Sequence, residues 1–108
     1  MTKKEIKKRL YDYGLEVGYA LSECEVADGF TRADFIKDGF CWSYQEGDTL
    51  PEAIFPDIDD DDFDYDVVYD YTDELYKGIN KACQDYWGVK KVSSGDTCCD
   101  CTVVVEQV

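Results

Sequence analysis

The feature that most restricts how this 108-residue chain can fold is a long interval without positive charge. Between Lys37 and Lys77 there is no Lys or Arg, whereas fourteen of the 25 acidic residues lie there. The other eleven acids balance the eleven basic residues of the chain, so the net charge of -14 belongs to this interval alone. The excess charge is therefore predicted to form one patch.

Ten of these acids fall within Asp57–Glu74, which we call the acidic segment. The aromatic residues interleaved with them are Phe63, Tyr65, Tyr69 and Tyr71. A disordered acidic tail is poor in aromatic residues. We therefore expect a folded single domain over residues 1–108, with one charged face.

The first part of the chain predicts a long amphipathic helix. Thr2 and Glu5 have the spacing of a capping box, and Ala27–Gly29 is expected to end the helix. The apolar residues that recur at steps of three and four, and are predicted to face the core, are Ile6, Leu10, Tyr13, Val17, Leu21 and Cys24. The basic residues of its first turns are Lys3, Lys4, Lys7, Lys8 and Arg9. They are interpreted either as a solvated face or as an internal counterweight to the aspartates.

Shorter elements are predicted to follow. Thr31–Asp34 is typical of the N-terminus of a short helix. The aromatic, roughly alternating run Phe40–Tyr44 predicts a strand. A turn at Glu46–Asp48 and an irregular connection at Leu50–Pro56 are expected next, because proline interrupts strand pairing.

A second principal helix is predicted from about Asp64 to Gly88. Its core-facing positions would be Val68, Tyr71, Leu75, Ile79, Ala82 and Tyr86. The residues Val89–Val108 then predict a β-hairpin that turns at Ser94–Asp96. The expected fold class is α+β, with two principal helices packed on a small antiparallel sheet and a C-terminal β-hairpin.

The sequence offers little that suggests catalysis. It contains no histidine, which is the commonest general base and metal ligand. Its serines lack a base partner, and no Gly-rich phosphate loop is present. We therefore predict a protein that is not an enzyme and has no cofactor.

Two patterns point weakly to metals. Cys98 and Cys101 have C-x-x-C spacing, but a structural zinc site needs two further ligands. A calcium loop starting at Asp57 would place Asp62 where glycine is required and Val68 where glutamate is required, so the EF-hand pattern fails. No metal site is predicted, although a small Cys-based zinc or redox module stays open as an alternative.

The cellular setting is predicted from the cysteines and the N-terminus. No apolar signal sequence or membrane-spanning run is evident, so the six cysteines are expected to be free thiols in the cytoplasm. A strongly negative chain would be repelled by anionic lipid and by nucleic acid. Neither a membrane nor direct nucleic-acid binding is expected, and the predicted partner is a basic, DNA-binding protein.

The acidic segment is the predicted binding site. If extended, it would place Asp60, Asp62, Asp64 and Asp66 in one row with a repeat of about 6.6 Å. If helical further on, it would place Asp66, Asp70, Asp73 and Glu74 on one face. The partner-binding residues predicted from this pattern are Asp57, Asp59, Asp60, Asp61, Asp62, Asp64, Tyr65, Asp66, Tyr69, Asp70, Asp73 and Glu74.

In size, acidity and charge layout over Asp38–Glu74 the chain resembles the phage-encoded DNA-mimic anti-CRISPR and anti-restriction proteins. The resemblance implies an inhibitor that blocks the DNA-binding surface of a bacterial defence nuclease. For a CRISPR effector such as Cas9, that surface includes the arginines that read the PAM. An immunity protein that neutralises a basic nuclease toxin is the alternative with the same electrostatics.

Overall fold

The computed structural model describes residues 2–43, 54, 55, 57, 66, 70–97 and 100–108. Three helices and a three-stranded antiparallel sheet lie within this part of the chain, which confirms the predicted α+β class. The predicted turn at 46–48 lies outside the described residues, as do Tyr44 and all of 50–56 except Ile54 and Phe55.

Helix α1 spans Lys3–Ala27, with the boundaries that the sequence predicts. The Thr2 hydroxyl caps it by accepting a hydrogen bond from the backbone N–H of Glu5 at 3.2 Å. At its other end the Asp28 N–H donates to carbonyls of the last turn, and Gly29 takes a left-handed φ of 92°. The capping signals therefore define the helix at both ends.

Helix α2 spans Arg32–Asp38 and starts with a complete capping box between Thr31 and Asp34, as predicted. Gly39 ends it with a φ of 63°, a conformation that side chains disfavour. A Cβ at Gly39 would also overlap the carbonyl oxygen of Val103. Strand β1, Phe40–Ser43, follows directly, so this glycine turns the chain from α2 into the sheet.

Helix α3 spans Thr72–Trp87 and ends, as predicted, at Gly88, which has a left-handed φ of 66°. Its predicted start near Asp64 is wrong. Tyr71 is the N-cap residue, with φ -108° and ψ 16°, so the helix begins one residue later. Asp66 and Asp70 are helical in conformation but precede α3.

Strands β2, Lys91–Thr97, and β3, Asp100–Gln107, form the C-terminal hairpin, and the sheet order is β1-β3-β2. The predicted turn at Ser94–Asp96 is wrong, because these residues pair with Val103, Thr102 and Cys101 of β3. Strand pairing continues beyond them as far as the pair Thr97 and Asp100. Ser94 is held in the strand by a tertiary contact, since its hydroxyl donates to Asn80 Oδ1 of α3 at 2.7 Å.

The core lies where α3 contacts both α1 and β2. The buried face of α1 consists of Ile6, Leu10, Gly14, Gly18 and Ser22. The predicted face was rotated from this one, because Tyr13, Val17 and Leu21 are only partly buried and Cys24 is exposed. The contact is centred on small residues because they allow the two helix backbones to approach closely.

The predicted core positions of α3 are largely confirmed. Leu75, Ile79 and Ala82 are buried, Tyr71 and Tyr86 are partly buried, and Val68 lies outside the described residues. Cys83 and Trp87 of α3 are buried as well, and other parts of the chain complete the core with Phe35, Phe40, Ile54, Phe55, Val89, Val92 and Val103. The rings of Phe35 and Trp87 stack with their centroids 4.9 Å apart. This contact joins α2 to the end of α3.

Candidate acidic interface

Five of the twelve predicted partner-binding residues are described: Asp57, Asp66, Asp70, Asp73 and Glu74. The others, Asp59, Asp60, Asp61, Asp62, Asp64, Tyr65 and Tyr69, lie outside the described residues, as does Phe63. All five described acids are at least partly accessible to solvent. They differ in whether a basic side chain already neutralises them.

Asp57 is neutralised by the first helix. Arg9 Nη1 lies 2.6 Å from Asp57 Oδ1, and Arg9 Nη2 lies 3.0 Å from Asp57 Oδ2. This hydrogen-bonded guanidinium lowers the pKa of the Asp57 carboxyl to about 2. The interpretation that the basic residues of α1 neutralise aspartates within the protein is therefore confirmed at Arg9.

Arg9 also contacts the residues just before Asp57. Its guanidinium carbon lies 5.5 Å from the centre of the Phe55 ring, and its Nη1 is 3.5 Å from the carbonyl oxygen of Ile54. Ile54 and Phe55 are buried in the core. In the sequence analysis Arg9 is one of five cations at the start of α1. The signal that distinguishes it is its position next to Leu10, which lies on the buried side of the helix.

A second base of α1 contacts the far end of the acidic segment. Lys7 Nζ lies 5.0 Å from the centre of the Tyr71 ring, within the range of a cation–π interaction. Tyr71 is the N-cap residue of α3 and packs against the core. The basic end of α1 thus touches both ends of the segment.

Asp66, Asp70 and Asp73 are exposed and form no ion pair within the part of the chain that the structure describes. Asp73 lies in the first turn of α3, where the helix dipole favours a negative charge. Because Asp66 is helical, it cannot complete an extended row with Asp60, Asp62 and Asp64, and that part of the prediction is wrong. Asp66 and Asp70 also precede α3, whereas Asp73 and Glu74 lie in it. The four acids predicted to share one helical face are therefore not all in that helix.

Glu74 is partly buried and pairs within α3 with Lys77, at 3.0 Å. Lys81 pairs with Asp85 of the same helix at 3.3 Å. The lysines that follow the acidic segment are therefore engaged by α3's own acids. They leave Asp66, Asp70 and Asp73 available to bind an external cationic group such as arginine.

The cysteines of the described residues do not suggest a metal centre. Cys24 and Cys41 are exposed free thiols, and Cys83 is buried. Burial raises the pKa of the Cys83 thiol to about 11. No group of three metal-binding side chains occurs among the described residues, and the C-x-x-C pair falls on Cys98 and Cys101, whose side chains lie outside them.

Within the same described ranges, no helix has the length and apolar character needed to cross a bilayer. The chain matches no protein-family model, and neither the curated proteins nor the solved structures contain a match to it.

Proposed function

We propose that this protein is a binding protein that imitates the charge of nucleic acid and occupies the DNA-binding surface of a bacterial defence nuclease. The observation that carries the proposal is that all of the net charge lies between Lys37 and Lys77, where Asp66, Asp70 and Asp73 are exposed and lack an ion pair among the described residues. An inhibitor of this kind needs neither a catalytic residue nor a cofactor.

The electrostatics support a role outside folding. Neighbouring carboxylates repel one another by about 1 kcal/mol per close pair even in water. Such a cluster weakens the fold unless a partner supplies positive charge. Arginine is the natural complement, because its guanidinium binds carboxylates and phosphates with the same paired geometry.

The resemblance to phage-encoded DNA mimics suggests the target class, a CRISPR effector that reads its PAM with arginines. In this proposal the protein acts in the host cytoplasm and prevents the effector from binding DNA. Tyr65 and Tyr69 are proposed to add the aromatic contacts that protein interfaces favour.

The first test uses purified Cas9 loaded with guide RNA and a PAM-containing DNA duplex. The protein is expected to reduce duplex binding in a gel-shift assay, and added duplex is expected to displace it from Cas9. Inhibition should fall steeply as salt increases, because the contacts are ionic. Inhibition that is insensitive to salt would contradict the mimic mechanism.

The second test changes charge at the proposed surface. The variant D60N/D62N/D64N/D66N should keep the fold and lose inhibition. The matched control E16Q/E23Q/E25Q/D28N also removes four negative charges, but from α1 and its C-terminal cap. An equal loss of inhibition in the two variants would show that net charge alone matters, and full inhibition by D60N/D62N/D64N/D66N would remove these four residues as the site.

The same reagents extend to the other target class. If Cas9 is not inhibited, capture from bacterial lysate with elution by duplex DNA tests for another nuclease. A DNA-displaceable restriction enzyme supports the mimic mechanism with a different target. Capture of a cognate nuclease toxin, whose activity returns only when it is released from this protein, would instead support the immunity-protein alternative.

A further inference from the structure

We propose that the outer face of α1 is a second binding surface, and that it binds a cationic amphipathic helix of a partner protein. Five residues at alternating steps of four and three define this face: Asp12, Glu16, Tyr19, Glu23 and Val26. All five are exposed to solvent. The inference goes beyond the proposed function, because this surface is not part of the acidic segment.

The spacing of the outer face is the spacing with which helices pack on one another. Steps of four and three return to the same side of a helix, so the five side chains form one stripe. The opposite side of α1 holds the buried stripe in which Gly14 and Gly18 contact α3. A stripe with this period accepts a second helix that lies nearly parallel to it.

Two large hydrophobic side chains are exposed on the outer face. Tyr19 has a relative accessibility of 38%, and Val26 has one of 45%. Among the described residues, the other large hydrophobic side chains with comparable exposure are Val104 and Val108. The Tyr19 ring packs edge-on against Tyr86 of α3, with the centroids 6.4 Å apart. A ring that is already held in place loses little freedom when a partner covers it, which is typical of an interface anchor.

The charge of the outer face identifies the partner as cationic. Helix α1 contains no basic residue after Arg9. Glu16 and Glu23 lie one turn before and one turn after Tyr19, and neither forms an ion pair with any other described residue. A lysine or arginine placed beside the ring can bind a carboxylate and also make a cation–π contact.

The order of charges along α1 opposes its own dipole. The cations lie in the first turns, where Lys8 pairs with Asp12 at 2.7 Å. Glu23 and Glu25 lie in the last two turns, where the partial negative charge of the helix end disfavours them. The last turn contains no basic residue to offset them. A cationic partner supplies the missing positive charge at this end of the helix.

These features define the size and pattern of the partner. The stripe from Asp12 to Val26 covers about four helical turns, or about 21 Å at the rise of an α-helix. Hydrophobic side chains of the partner helix would cover Tyr19 and Val26. Its lysine or arginine side chains would lie beside them and meet Glu16 and Glu23.

An NMR titration of the full-length, isotope-labelled protein tests the proposal. The probe is a synthetic amphipathic helix of leucine and lysine, about four turns long to match the face. Backbone shifts should change at Tyr19, Glu23 and Val26. The Kd should be about tenfold lower than that of a scrambled peptide of the same composition. Shift changes confined to Asp66 and Asp70, or equal affinity for the scrambled peptide, would overturn the proposal.

Two charge reversals of equal size locate the binding surface. E16K/E23K reverses two charges on α1, and D66K/D70K reverses two exposed charges of the acidic segment. The first variant should raise the Kd of the peptide about tenfold more than the second. Equal effects would show that the peptide responds to net charge alone, and this result would overturn the assignment of α1.

Variants of Tyr19 test the aromatic anchor. Y19A should raise the Kd of the peptide about tenfold, whereas Y19F should bind like the wild type because it keeps the ring. Binding by Y19A as tight as in the wild type would overturn the role of Tyr19. Urea unfolding of each variant monitors the fold, and the shifts of the wild-type protein locate the peptide independently of any variant.

The result is separate from that of the proposed function. Lys7 and Arg9 contact the acidic segment at the first turns of α1, before the outer face begins. E16K/E23K is therefore expected to lose peptide binding and to keep nuclease inhibition. The peptide titration contains no nuclease, so failure of the DNA-mimic mechanism leaves its outcome unchanged.

Discussion

The indole Nε1 of Trp87 donates a hydrogen bond to Ser22 Oγ at 2.9 Å, and this bond joins the last turn of α3 to α1 within the core. Ser22 is fully buried, and its hydroxyl in turn donates to the carbonyl oxygen of Gly18 at 2.8 Å. Each polar atom of the pair is therefore satisfied without water. The bond links the two principal helices near the end of α3.

Replacing Ser22 with alanine is predicted to leave the Trp87 N–H buried without an acceptor. Such a group costs about 1–3 kcal/mol, which urea unfolding followed by tryptophan fluorescence would measure. In the S22A background, W87F should cost less than it does alone, because the hydrogen bond is already lost and W87F then removes the unsatisfied donor. Additive losses from the two changes would contradict a direct interaction.

Gly14 is predicted to tolerate no side chain. An added Cβ would overlap the carbonyl oxygen of Leu75 and lie 3.0 Å from the Cα of Gly78. G14A should destabilise the protein by about 1–3 kcal/mol, despite alanine's higher helix propensity, because two backbones must separate. G95A is the control, since a Cβ there meets nothing within 4 Å, and it should unfold close to the wild-type urea concentration.

Arg32 of α2 is predicted to stabilise the C-terminus of α3, whose last turn contains no basic residue. Its Nε donates to the carbonyl oxygen of Trp87 at 2.7 Å and its Nη2 to that of Gly88 at 3.1 Å. R32K should lower the free energy of unfolding by about 1 kcal/mol, because a lysine cannot keep both bonds. K90Q removes a nearby exposed charge without affecting these two bonds and should have a smaller effect. An R32K variant as stable as the wild type would show that a positive charge at position 32 is sufficient without them.

Asp57 is predicted to make folding depend on pH in the acidic range. Its folded pKa of about 2 lies below the ordinary value of 3.8, so the contribution of the Arg9 pair is present above pH 3.8 and is lost as the pH falls toward 2. Carboxyl-carbon NMR should show Asp57 titrating near 2, and near its ordinary value in R9Q. The K4Q variant should leave the Asp57 titration where it is in the wild type.

Cys83 is predicted to resist modification in the folded protein. Burial raises its pKa from 9.0 to about 11, so it is a neutral thiol at pH 8. Iodoacetamide should therefore label the exposed Cys24 and Cys41 before Cys83. The stability associated with the neutral thiol is complete below pH 9 and is lost as the pH rises toward 11. Peptide mapping after labelling measures this order, and early labelling of Cys83 would contradict its burial.

Local signals were sufficient for both ends of α1, the start of α2 and the end of α3, but not for the start of α3. Thr2, Thr31 and Gly88 act through hydrogen bonds or backbone conformations that involve only their immediate neighbours. The same is true of the start of β1 at Phe40, which directly follows Gly39. Sequence patterns predict such features well because no distant residue contributes to them.

Predictions of features that depend on distant residues were wrong in position. The turn of the C-terminal hairpin was predicted at Ser94–Asp96 because of its glycine, but Ser94 is bonded to Asn80 of α3 and paired with Val103. The buried face of α1 is predicted on its large apolar residues, whereas its contact with α3 is centred on Gly14 and Gly18. In both cases the neighbouring element outweighs the local pattern.

The amino-acid sequence alone determined that the negative charge is concentrated between Lys37 and Lys77 and that the chain forms capped helices followed by a hairpin. Only the tertiary structure decided that Arg9 neutralises Asp57, while Asp66, Asp70 and Asp73 form no ion pair within the described residues. The reason is that charge is a property of composition, whereas a salt bridge needs two side chains 48 residues apart to be brought within hydrogen-bonding distance. Packing of Phe55 and Ile54 into the core provides that proximity.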